Sequence, residues 1–351
     1  MAEKIKKITG MRLFMPIVCL LIVLLVNVIR TPDFFNITLK DGQLSGWLID
    51  VINRGSELVI LAIGMTLVTA ASGGQDISVG AVMAVAAAVC CQILSGGEVS
   101  TNTLAAPIII AAIAGILVAA LCGAFNGFLV AKLNIQPMVA TLILFTAGRG
   151  IAQLVTQGQI TYVRVESYKA MGGFLGPIPT PVIFAVAAVV VAYLVLNKTA
   201  LGMYIESVGI NSHASRLIGL NSTRIKFLTY VICGALAGLA GIVASSRIYS
   251  ADANNIGLNL EMDAILAVAL GGNILSGGKF SLMGSVIGAY TIQALTTTLY
   301  AMSVPSDQLP VYKAIVVIII VVLQSPVYKK AMQNYKAKRQ PKKAVVQGGE
   351  Q

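Results

Sequence analysis

Residues 58–94 read LVILAIGMTLVTAASGGQDISVGAVMAVAAAVCCQIL, two apolar runs around a short glycine-rich break, and this pattern decides the fold. A helix needs roughly 20 mostly apolar residues to cross the hydrocarbon core of a bilayer. Irregular backbone exposed to lipid would leave its amide groups unpaired, so such runs are predicted to be helical. The whole chain is 57% hydrophobic and only 11% charged, with a mean hydropathy of +0.85. This composition differs strongly from that of a soluble domain.

Apolar runs of this kind recur along the chain, and they predict an all-α, polytopic integral membrane protein with about ten transmembrane helices. The predicted spans are Leu13–Ile29, Leu58–Ala71, Val79–Leu94, Ala105–Ala131, Pro137–Thr156, Pro181–Leu196, Ile225–Ser245, Met262–Leu275, Leu282–Met302 and Val311–Ser325. Several of them are shorter than a full crossing. Short spans indicate helices that are broken or lie inside the protein, as in transport pathways.

Positive charge alternates between the loops and orients the chain. With the N-terminus inside, 17 of the 25 basic residues lie in the inner segments. The positive-inside rule therefore places both termini in the cytoplasm, and an even number of spans agrees with this. The predicted organisation is a cytoplasmic tail over residues 1–12, a transmembrane domain over 13–325 with its largest cytoplasmic loop at 197–224, and a basic cytoplasmic tail over 326–351.

The net charge of +11 is interpreted as topogenic rather than as a sign of nucleic-acid binding, because the excess lies in the tails, where it can also contact anionic lipid. The five cysteines all fall in apolar spans and indicate packing residues, not a metal site or a disulfide framework. His213 is the only histidine. No phosphate-cradling motif with the spacing Gly-x-x-x-x-Gly-Lys-Ser/Thr is present. We therefore expect neither catalytic residues nor a cofactor in this chain.

Three glycine pairs predict close helix contacts. They are Gly123 and Gly127, Gly234 and Gly238, and Gly284 and Gly288. Each pair puts two small residues on one helix face, and such faces let backbones approach where lipid offers no hydrophobic drive. The pattern is equally consistent with moving contacts and with static packing.

The break at residues 72–80, Ser-Gly-Gly-Gln-Asp-Ile-Ser-Val-Gly, is the sharpest local pattern. Glycines permit an unwound or re-entrant turn. Asp76 and Ser78 could cap the helix that follows, or they could form a polar element that lines or gates a pathway. A second Ser-Gly-Gly with a glycine at the same distance, at Ser276–Gly284, hints at an internal repeat.

Further polar residues make candidates for the lining of a pathway. Uncharged amides and hydroxyls within spans suit a neutral, hydroxyl-rich solute, although they are also common contacts between helices. A charge inside a span is a functional candidate by default, and the outer segment 247–263 is dense in hydrogen-bonding groups. The pathway and gate candidates are Asp76, Ser78, Asn126, Gln136, Thr141, Arg149, Asp252, Asn254, Asn255 and Asp263. Asp263 could equally serve as a cap at the start of its helix.

The large cytoplasmic loop contains a short predicted helix. Asn211 or Ser212 offers an N-cap, and Gly219 would end the helix. Between them, Ala214, Leu217 and Ile218 fall on one small apolar face. Such a helix suits the docking of an ATPase, or it could lie on lipid.

Several motifs together resemble the membrane permeases of the ribose/galactose/xylose ABC importers. The resemblance covers the chain from about Trp47 to Gln324, and within the family it is strongest to the galactofuranose-type permease. It is carried by residues 72–80, Phe125-Asn126-Gly127, residues 136–142, Gly148-Arg149-Gly150, residues 198–202, residues 208–211, Ala251-Asp252-Ala253-Asn254-Asn255 and residues 261–268. At Gln75 this chain departs from the aliphatic residue that is usual in the family.

The resemblance implies a permease of about ten helices in the cell membrane, paired with an identical or related permease chain. It also implies a cytoplasmic ABC ATPase subunit and an extracytoplasmic sugar-binding protein as partners. By the same resemblance, Gly209–Asn221 is similar to the helix that couples the permease to the ATPase. The coupling candidates are Gly209, Asn211, Ala214, Leu217, Ile218 and Gly219.

Two other functions remain open from the residues. An ion-coupled secondary sugar transporter usually needs ionisable residues deep in the membrane, and the middles of these spans are nearly free of them. A branched-chain amino-acid ABC permease would have a similar overall plan, and the sugar-type motifs argue against it.

Overall fold

The computed structural model describes residues 13–40 and 42–324. Most of these residues are helical. The tails predicted for residues 1–12 and 326–351 lie outside the described residues, as does Ser325 at the end of the tenth predicted span.

Each predicted span contains a helix. We name the helices α1 (Phe14–Arg30), α2 (Trp47–Ser72), α3 (Val79–Ser95), α4 (Ile108–Gly127), α5 (Pro137–Val155), α6 (Glu166–Lys169), α7 (Thr180–Lys198), α8 (Leu201–Ile210), α9 (Ser212–Leu217), α10 (Ser222–Arg247), α11 (Leu260–Leu270), α12 (Leu282–Ala301) and α13 (Leu309–Gln324). A 3₁₀ turn at Pro32–Phe35 follows α1, and a π-helical turn at Phe128–Lys132 extends α4. Five helices, namely α2, α4 with its extension, α5, α7 and α10, are long and apolar enough to cross a membrane.

Two helices differ from the predicted spans. The helix of the second predicted span, α2, begins at Trp47 instead of Leu58, because its polar first turns are covered by neighbouring elements. The helix of the eighth predicted span, α11, has only 11 residues and ends at Leu270 instead of Leu275, since a glycine pair follows at Gly271. At 1.5 Å per residue α11 is about 16 Å long, roughly half of the hydrocarbon core. It is therefore a half-helix, as its short apolar run indicates.

Short strands close one end of the bundle. β1 (Thr38–Lys40) pairs with β2 (Gln43–Ser45), and β5 (Phe174–Leu175) pairs with β6 (Ile178–Pro179), both antiparallel. In a third sheet β4 (Thr161–Val163) lies between β3 (Ser100–Thr101), which is parallel to it, and β7 (Ser250–Ala251), which is antiparallel. We call this end of the bundle the sheet end.

The helix α9 lies at the opposite end, which we call the α9 end. The 26 residues of α10 run from just after α9 to just before β7. At 1.5 Å per residue they separate the two ends by about 39 Å. The charge pattern predicts that the sheet end lies outside the cell and that the α9 end lies in the cytoplasm.

The helices α2 and α3 form the centre of the bundle. In the most apolar window of α2, 94% of the residues are buried, compared with 17% for α7. The outer helices α4, α5 and α7 turn apolar side chains outward, among them Ile109, Leu121 and Leu154. A polar solvent would oppose such a surface, whereas a bilayer accepts it.

The predicted glycine pairs lie at helix contacts. A Cβ placed on Gly234 of α10 would lie 2.9 Å from the Cα atom of Gly123 on α4. Gly288 of α12 faces the carbonyl oxygen of Ala267 on α11 with no room for a side chain. The absence of side chains thus sets the distance between these helices.

The loop that carries α6 is anchored in the core by one aromatic side chain. Tyr168 is fully buried, and its hydroxyl lies 2.5 Å from the Ser245 hydroxyl of α10 and 3.4 Å from the Cys91 sulfur of α3. Buried tyrosine hydroxyls need such partners. This anchor fixes the sheet end against the centre of the bundle.

We expect Gly123→Val to destabilise the protein, because the new side chain must force α4 away from α10. Overpacking of this kind costs about 1–3 kcal/mol. The measurement is the temperature of half-unfolding in a mild detergent. Gly150→Val on α5 is the matched control, because nothing lies within 4 Å of a Cβ at Gly150. Equal unfolding temperatures for the two variants would contradict the close contact between α4 and α10.

Candidate functional site

A polar cavity of about 830 Å³ opens at the sheet end. Its walls come from the first turns of α2, the end of α10, the segment before α11, and α12. It is lined by Trp47, Asp50, Arg54, Glu57, Ala244, Arg247, Ile248, Asp252, Asn255, Ile256, Gly257, Leu258, Leu260, Asp263, Gln293, Thr296, Thr297 and Tyr300. Carboxylates, amides, hydroxyls and two aromatic rings share this surface. The cavity can therefore offer both hydrogen-bond donors and acceptors to a polar solute.

Two ion pairs join helices around the cavity. Arg247 of α10 lies 2.8 Å from the Glu57 carboxylate of α2 and donates more weakly to the backbone oxygen of Asn53 at 3.3 Å. Lys313 of α13 donates to both oxygens of Asp263 on α11, at 2.7 and 3.0 Å. The four side chains are 10–21% exposed, so water screens these pairs less than it screens pairs on an open surface.

Asp263 is therefore an ion-pair partner in the first turn of α11. The N-cap position is held by Asn259, whose backbone is left-handed (φ 64°) and whose side chain makes no capping bond. The negative charge of Asp263 still lies near the positive end of the helix dipole.

The span that contains α11 is broken, and Arg149 supports the break. Before α11 the chain runs through a series of turns at 253–259. Arg149 of α5 reaches into these turns and donates to the carbonyl oxygens of Ala253 at 3.0 Å and Ile256 at 2.5 Å. Buried carbonyl groups of an irregular segment need partners of this kind. The in-span charge thus contacts backbone rather than reaching for the membrane surface.

Glu261 lies beside this break with little access to solvent. Its side chain is 1% exposed, and its Oε2 atom has no hydrogen-bond partner among the described residues. A Cβ on Gly80 would collide with that oxygen and with the Gly257 carbonyl oxygen. The carboxylate therefore lies against the first turn of α3, where the helix dipole favours negative charge.

The turn at Asp252 organises the other two predicted residues of this segment. The Asp252 carboxylate accepts from the backbone N–H of Asn254 at 2.9 Å and from that of Asn255 at 3.2 Å. The Asn255 amide also donates to it at 2.6 Å. Gln153 of α5 donates to the Asn254 side chain at 2.6 Å. Of these residues, Asp252 and Asn255 line the cavity.

Charged groups at the rim of the sheet end tie two further loops together. The Tyr249 hydroxyl donates to Glu166 at 2.6 Å, and the Lys169 ammonium lies 5.0 Å from the centre of the Tyr249 ring. Tyr249 raises the pKa of Lys169, mainly through a side-chain hydrogen bond. Lys169 is therefore a positive charge at neutral pH.

Four other predicted residues form a separate buried cluster nearer the α9 end. Asp76 accepts from the Ser78 backbone N–H at 2.9 Å and from the Ser78 hydroxyl at 2.6 Å. Asn126 of α4 donates to the Ser78 hydroxyl at 2.8 Å and lies 3.4 Å from Asp76. Thr141 of α5 accepts from the Ile77 backbone N–H at 3.2 Å. The cluster holds the turn between α2 and α3 against α4 and α5.

Ser78 does not act as the predicted cap. It occupies the N-cap position of α3, but its side chain makes no capping bond, because its hydroxyl donates to Asp76 instead. Gln136 stands apart from the cluster. It is exposed at the start of α5 and likewise makes no capping bond.

The short helix α9 forms as predicted. The Asn211 side chain accepts from the backbone N–H groups of His213 and Ala214, both at 3.0 Å. Leu217 and Ile218 are 89% and 74% exposed, and Gly219 has a left-handed backbone (φ 89°) that ends the helix. An apolar tip therefore projects from the α9 end.

Gly209, the remaining coupling candidate, faces the interior instead of this tip. A Cβ on Gly209 would overlap the Ala70 carbonyl oxygen and lie 2.5 Å from the Gly278 nitrogen. The structure thus separates this residue from the exposed face formed by Ala214, Leu217 and Ile218.

Several residues that form the cavity or its ion pairs are not indicated by the sequence. Trp47 and Glu57 lie outside the predicted second span, and Arg247 lies in the outer segment 247–263. A signal existed for Lys313, which is a charge within an apolar span. The others could not be found, because their roles depend on which helices are neighbours.

Comparison with known proteins places the chain among permeases. The family model described as "Branched-chain amino acid transport system / permease component" matches residues 47–324. The galactofuranose transporter permease protein of Escherichia coli is 47% identical over 310 residues, which cover 88% of each chain.

Two other import permeases are also similar to this chain over most of its length. The fructose import permease protein of Bifidobacterium longum is 39% identical over 342 residues, covering 95% of this chain and 94% of the relative. The ribose import permease protein of Escherichia coli is 33% identical over 314 residues, covering 88% and 92%. The similarity therefore extends over nearly the whole length of each protein.

Lys313→Met is expected to lower the stability of the protein, since it leaves the Asp263 carboxylate without its partner. An unpaired, largely buried polar group costs about 1–3 kcal/mol. The double variant Asp263→Asn with Lys313→Met should recover most of that loss, because it removes both charges. Thermal unfolding of the two variants and of Asp263→Asn alone completes a double-mutant cycle. Strictly additive losses would show that the two charges do not interact.

Proposed function

The chain belongs to the family of branched-chain amino acid transport system / permease components, and from this membership we propose that it is the permease subunit of an ATP-binding-cassette importer. It forms the transmembrane pathway for a sugar that an extracytoplasmic binding protein delivers. It works in the cell membrane with a second permease chain, identical or related. A separate cytoplasmic subunit hydrolyses ATP, so this chain itself is not an enzyme.

The polar cavity at the sheet end carries this proposal. Its volume of about 830 Å³ is typical of small-molecule sites. Amides and hydroxyls at Asn255, Gln293, Thr296 and Thr297 can exchange hydrogen bonds with sugar hydroxyls. The cavity lies where a solute released by a binding protein on the outer side would enter.

The broken span below the cavity supports a transport role. Binding sites of transporters are often built from discontinuous helices, whose ends and unwound backbone contact the solute. The half-helix α11 and the turns that Arg149 holds have this form. The cluster at Asp76 lies further toward the α9 end and gates the pathway on the cytoplasmic side.

The ATPase binds at α9. Leu217 and Ile218 provide an exposed apolar tip, as expected of a helix that docks into a groove of a partner. ATP binding moves this helix and switches the pathway between outward-open and inward-open states. Energy enters only as a difference in the stabilisation of these two states.

The named relatives favour a sugar over the alternatives. They transport galactofuranose, fructose and ribose according to their names, whereas a branched-chain amino acid appears only in the family description. A secondary transporter is disfavoured because these relatives are import permeases similar over most of the chain.

Gentle purification of the chain from its own membranes tests the proposal. Mass spectrometry should identify an ATPase subunit carrying Gly-x-x-x-x-Gly-Lys-Ser/Thr.

Uptake measurements provide a second test. Deletion of the chain should abolish uptake of labelled galactose, ribose or fructose. Recovery of the chain alone, with uptake that survives ATP depletion but collapses with an uncoupler, would favour a secondary transporter. A co-purified binding protein loaded with leucine or isoleucine would show that the transported solute is an amino acid and not a sugar.

Leu217→Asp with Ile218→Asp should abolish co-purification of the ATPase, because two charges would have to be buried in the docking groove. The matched control is Leu175→Asp, an equally apolar and 68% exposed site at the sheet end. That control should leave the ATPase bound. Retention of the ATPase by the double variant would contradict docking at α9.

A further inference from the structure

We propose that a junction of four glycines transmits the movement of α9 to the two glycine-rich turns at the base of the pathway. The residues are Gly73, Gly209, Gly277 and Gly278, and we call them the glycine junction. This inference rests on the proposed function, because it assumes that α9 moves with a partner.

Gly209 is the point where the backbone of α8 approaches the backbones of α2 and of the turn before α12 most closely. The backbone of Gly278 lies within 2.5 Å of the position that a Cβ on Gly209 would occupy, and the Ala70 carbonyl oxygen lies closer still. The Gly278 N–H donates to that same carbonyl oxygen at 2.9 Å. Three chain segments, the ends of α2 and α8 and the turn before α12, thus meet backbone to backbone.

Gly73 and Gly277 complete the contact. A Cβ on Gly73 would lie 2.8 Å from the Ser276 carbonyl oxygen, and one on Gly277 would lie 3.0 Å from the Cα atom of Gly73. Both residues have left-handed backbones, with φ of 68° and 93°. The two Ser-Gly-Gly sequences that hinted at a repeat therefore lie against each other at one point.

The position of the junction links the ATPase-docking helix to both walls of the pathway. Asn211, which caps α9, follows Gly209 by two residues. On the other side, α2 continues from the junction to the cavity wall at Glu57, and the turn at 276–278 connects α11 with α12. A shift of α9 can therefore pass through Gly209 into α2 and into the half-helix, beside its direct connection to α10 through the hydrogen bonds of Arg216 to Ser222 and Thr223.

Direct contact between backbones suits the transmission of a movement. Interiors are close-packed and transmit strain, whereas a long side chain at the contact could change rotamer and absorb part of a displacement. Where the three segments meet backbone to backbone, at Gly209, Ala70 and Gly278, a displacement of one is passed to the others. A purely structural role would hold the segments together without affecting how ATP hydrolysis responds to sugar.

The test uses the complete complex with its ATPase and binding protein, reconstituted in proteoliposomes. The probe is whichever of galactose, ribose and fructose most stimulates ATP hydrolysis by the wild type. The readouts are labelled sugar uptake and the ratio of sugar-stimulated to basal hydrolysis. Gly209→Ala must displace α8 from the Ala70 carbonyl oxygen, and the complexes that still assemble should keep their basal hydrolysis. Their stimulation ratio and uptake should fall about tenfold, within the range typical of coupling between sites.

Gly150→Ala is the matched control, because it adds the same methyl group to a helix where nothing lies within 4 Å. It should behave as the wild type. A Gly209→Ala complex with wild-type uptake and a wild-type ratio would overturn the inference. Equal loss of basal and stimulated hydrolysis would also overturn it, because that result indicates a structural role.

If Gly209→Ala does not assemble, Gly278→Ala decides the question. A Cβ there would lie 3.0 Å from the Ile210 side chain, and the left-handed backbone of Gly278 (φ 94°) strains any side chain placed on it. Ile210→Ala in the same chain relieves the contact but not the strain, so partial recovery of coupling in the double variant supports the junction. Wild-type coupling in Gly278→Ala, or no recovery with Ile210→Ala, overturns it.

A wild-type complex that no sugar stimulates, although the ATPase is bound, would instead contradict the proposed function. The wild-type measurement thus separates failure of the proposed function from failure of the junction.

Discussion

Backbone amide groups in lipid must find partners within the protein, and the structure depends on this constraint. Helices meet it by themselves, but the turn at 73–78 and the turns at 253–259 do not. Both depend on hydrogen bonds from neighbouring residues, and the turns at 253–259 also border the open cavity. The outer helices α4, α5 and α7 contact lipid, so the central helices can carry irregular backbone.

The two irregular segments differ in the groups that hydrogen-bond to them. At 73–78 the partners are neutral or come from the same turn, with Asp76, Ser78 and Asn126 bonded among themselves. At 253–259 a charged donor from α5, Arg149, binds two carbonyl oxygens. The first arrangement joins four helices near the α9 end, and the second fixes the start of a half-helix beneath an open cavity.

The apolar runs predicted nearly all of the helices, because hydropathy is a local property that a single sequence records. The cap at Asn211 and the stop at Gly219 were predictable for the same reason. The pairs Arg247 with Glu57 and Lys313 with Asp263 were not, since they join helices that are distant in sequence. The position of α11 shows the limit most clearly. Its short run predicted a broken span, but only the fold shows that Arg149 and Gly80 lie at the break.

The hydrogen-bond donor at the turns before α11 is an arginine, Arg149, and this choice makes the contact independent of pH. A guanidinium group stays protonated in proteins, unlike a histidine or a carboxylate, whose charge can change with acidity. The carbonyl oxygens of Ala253 and Ile256 therefore keep a charged donor in acidic and in alkaline media alike. This part of the protein is insulated from swings in acidity.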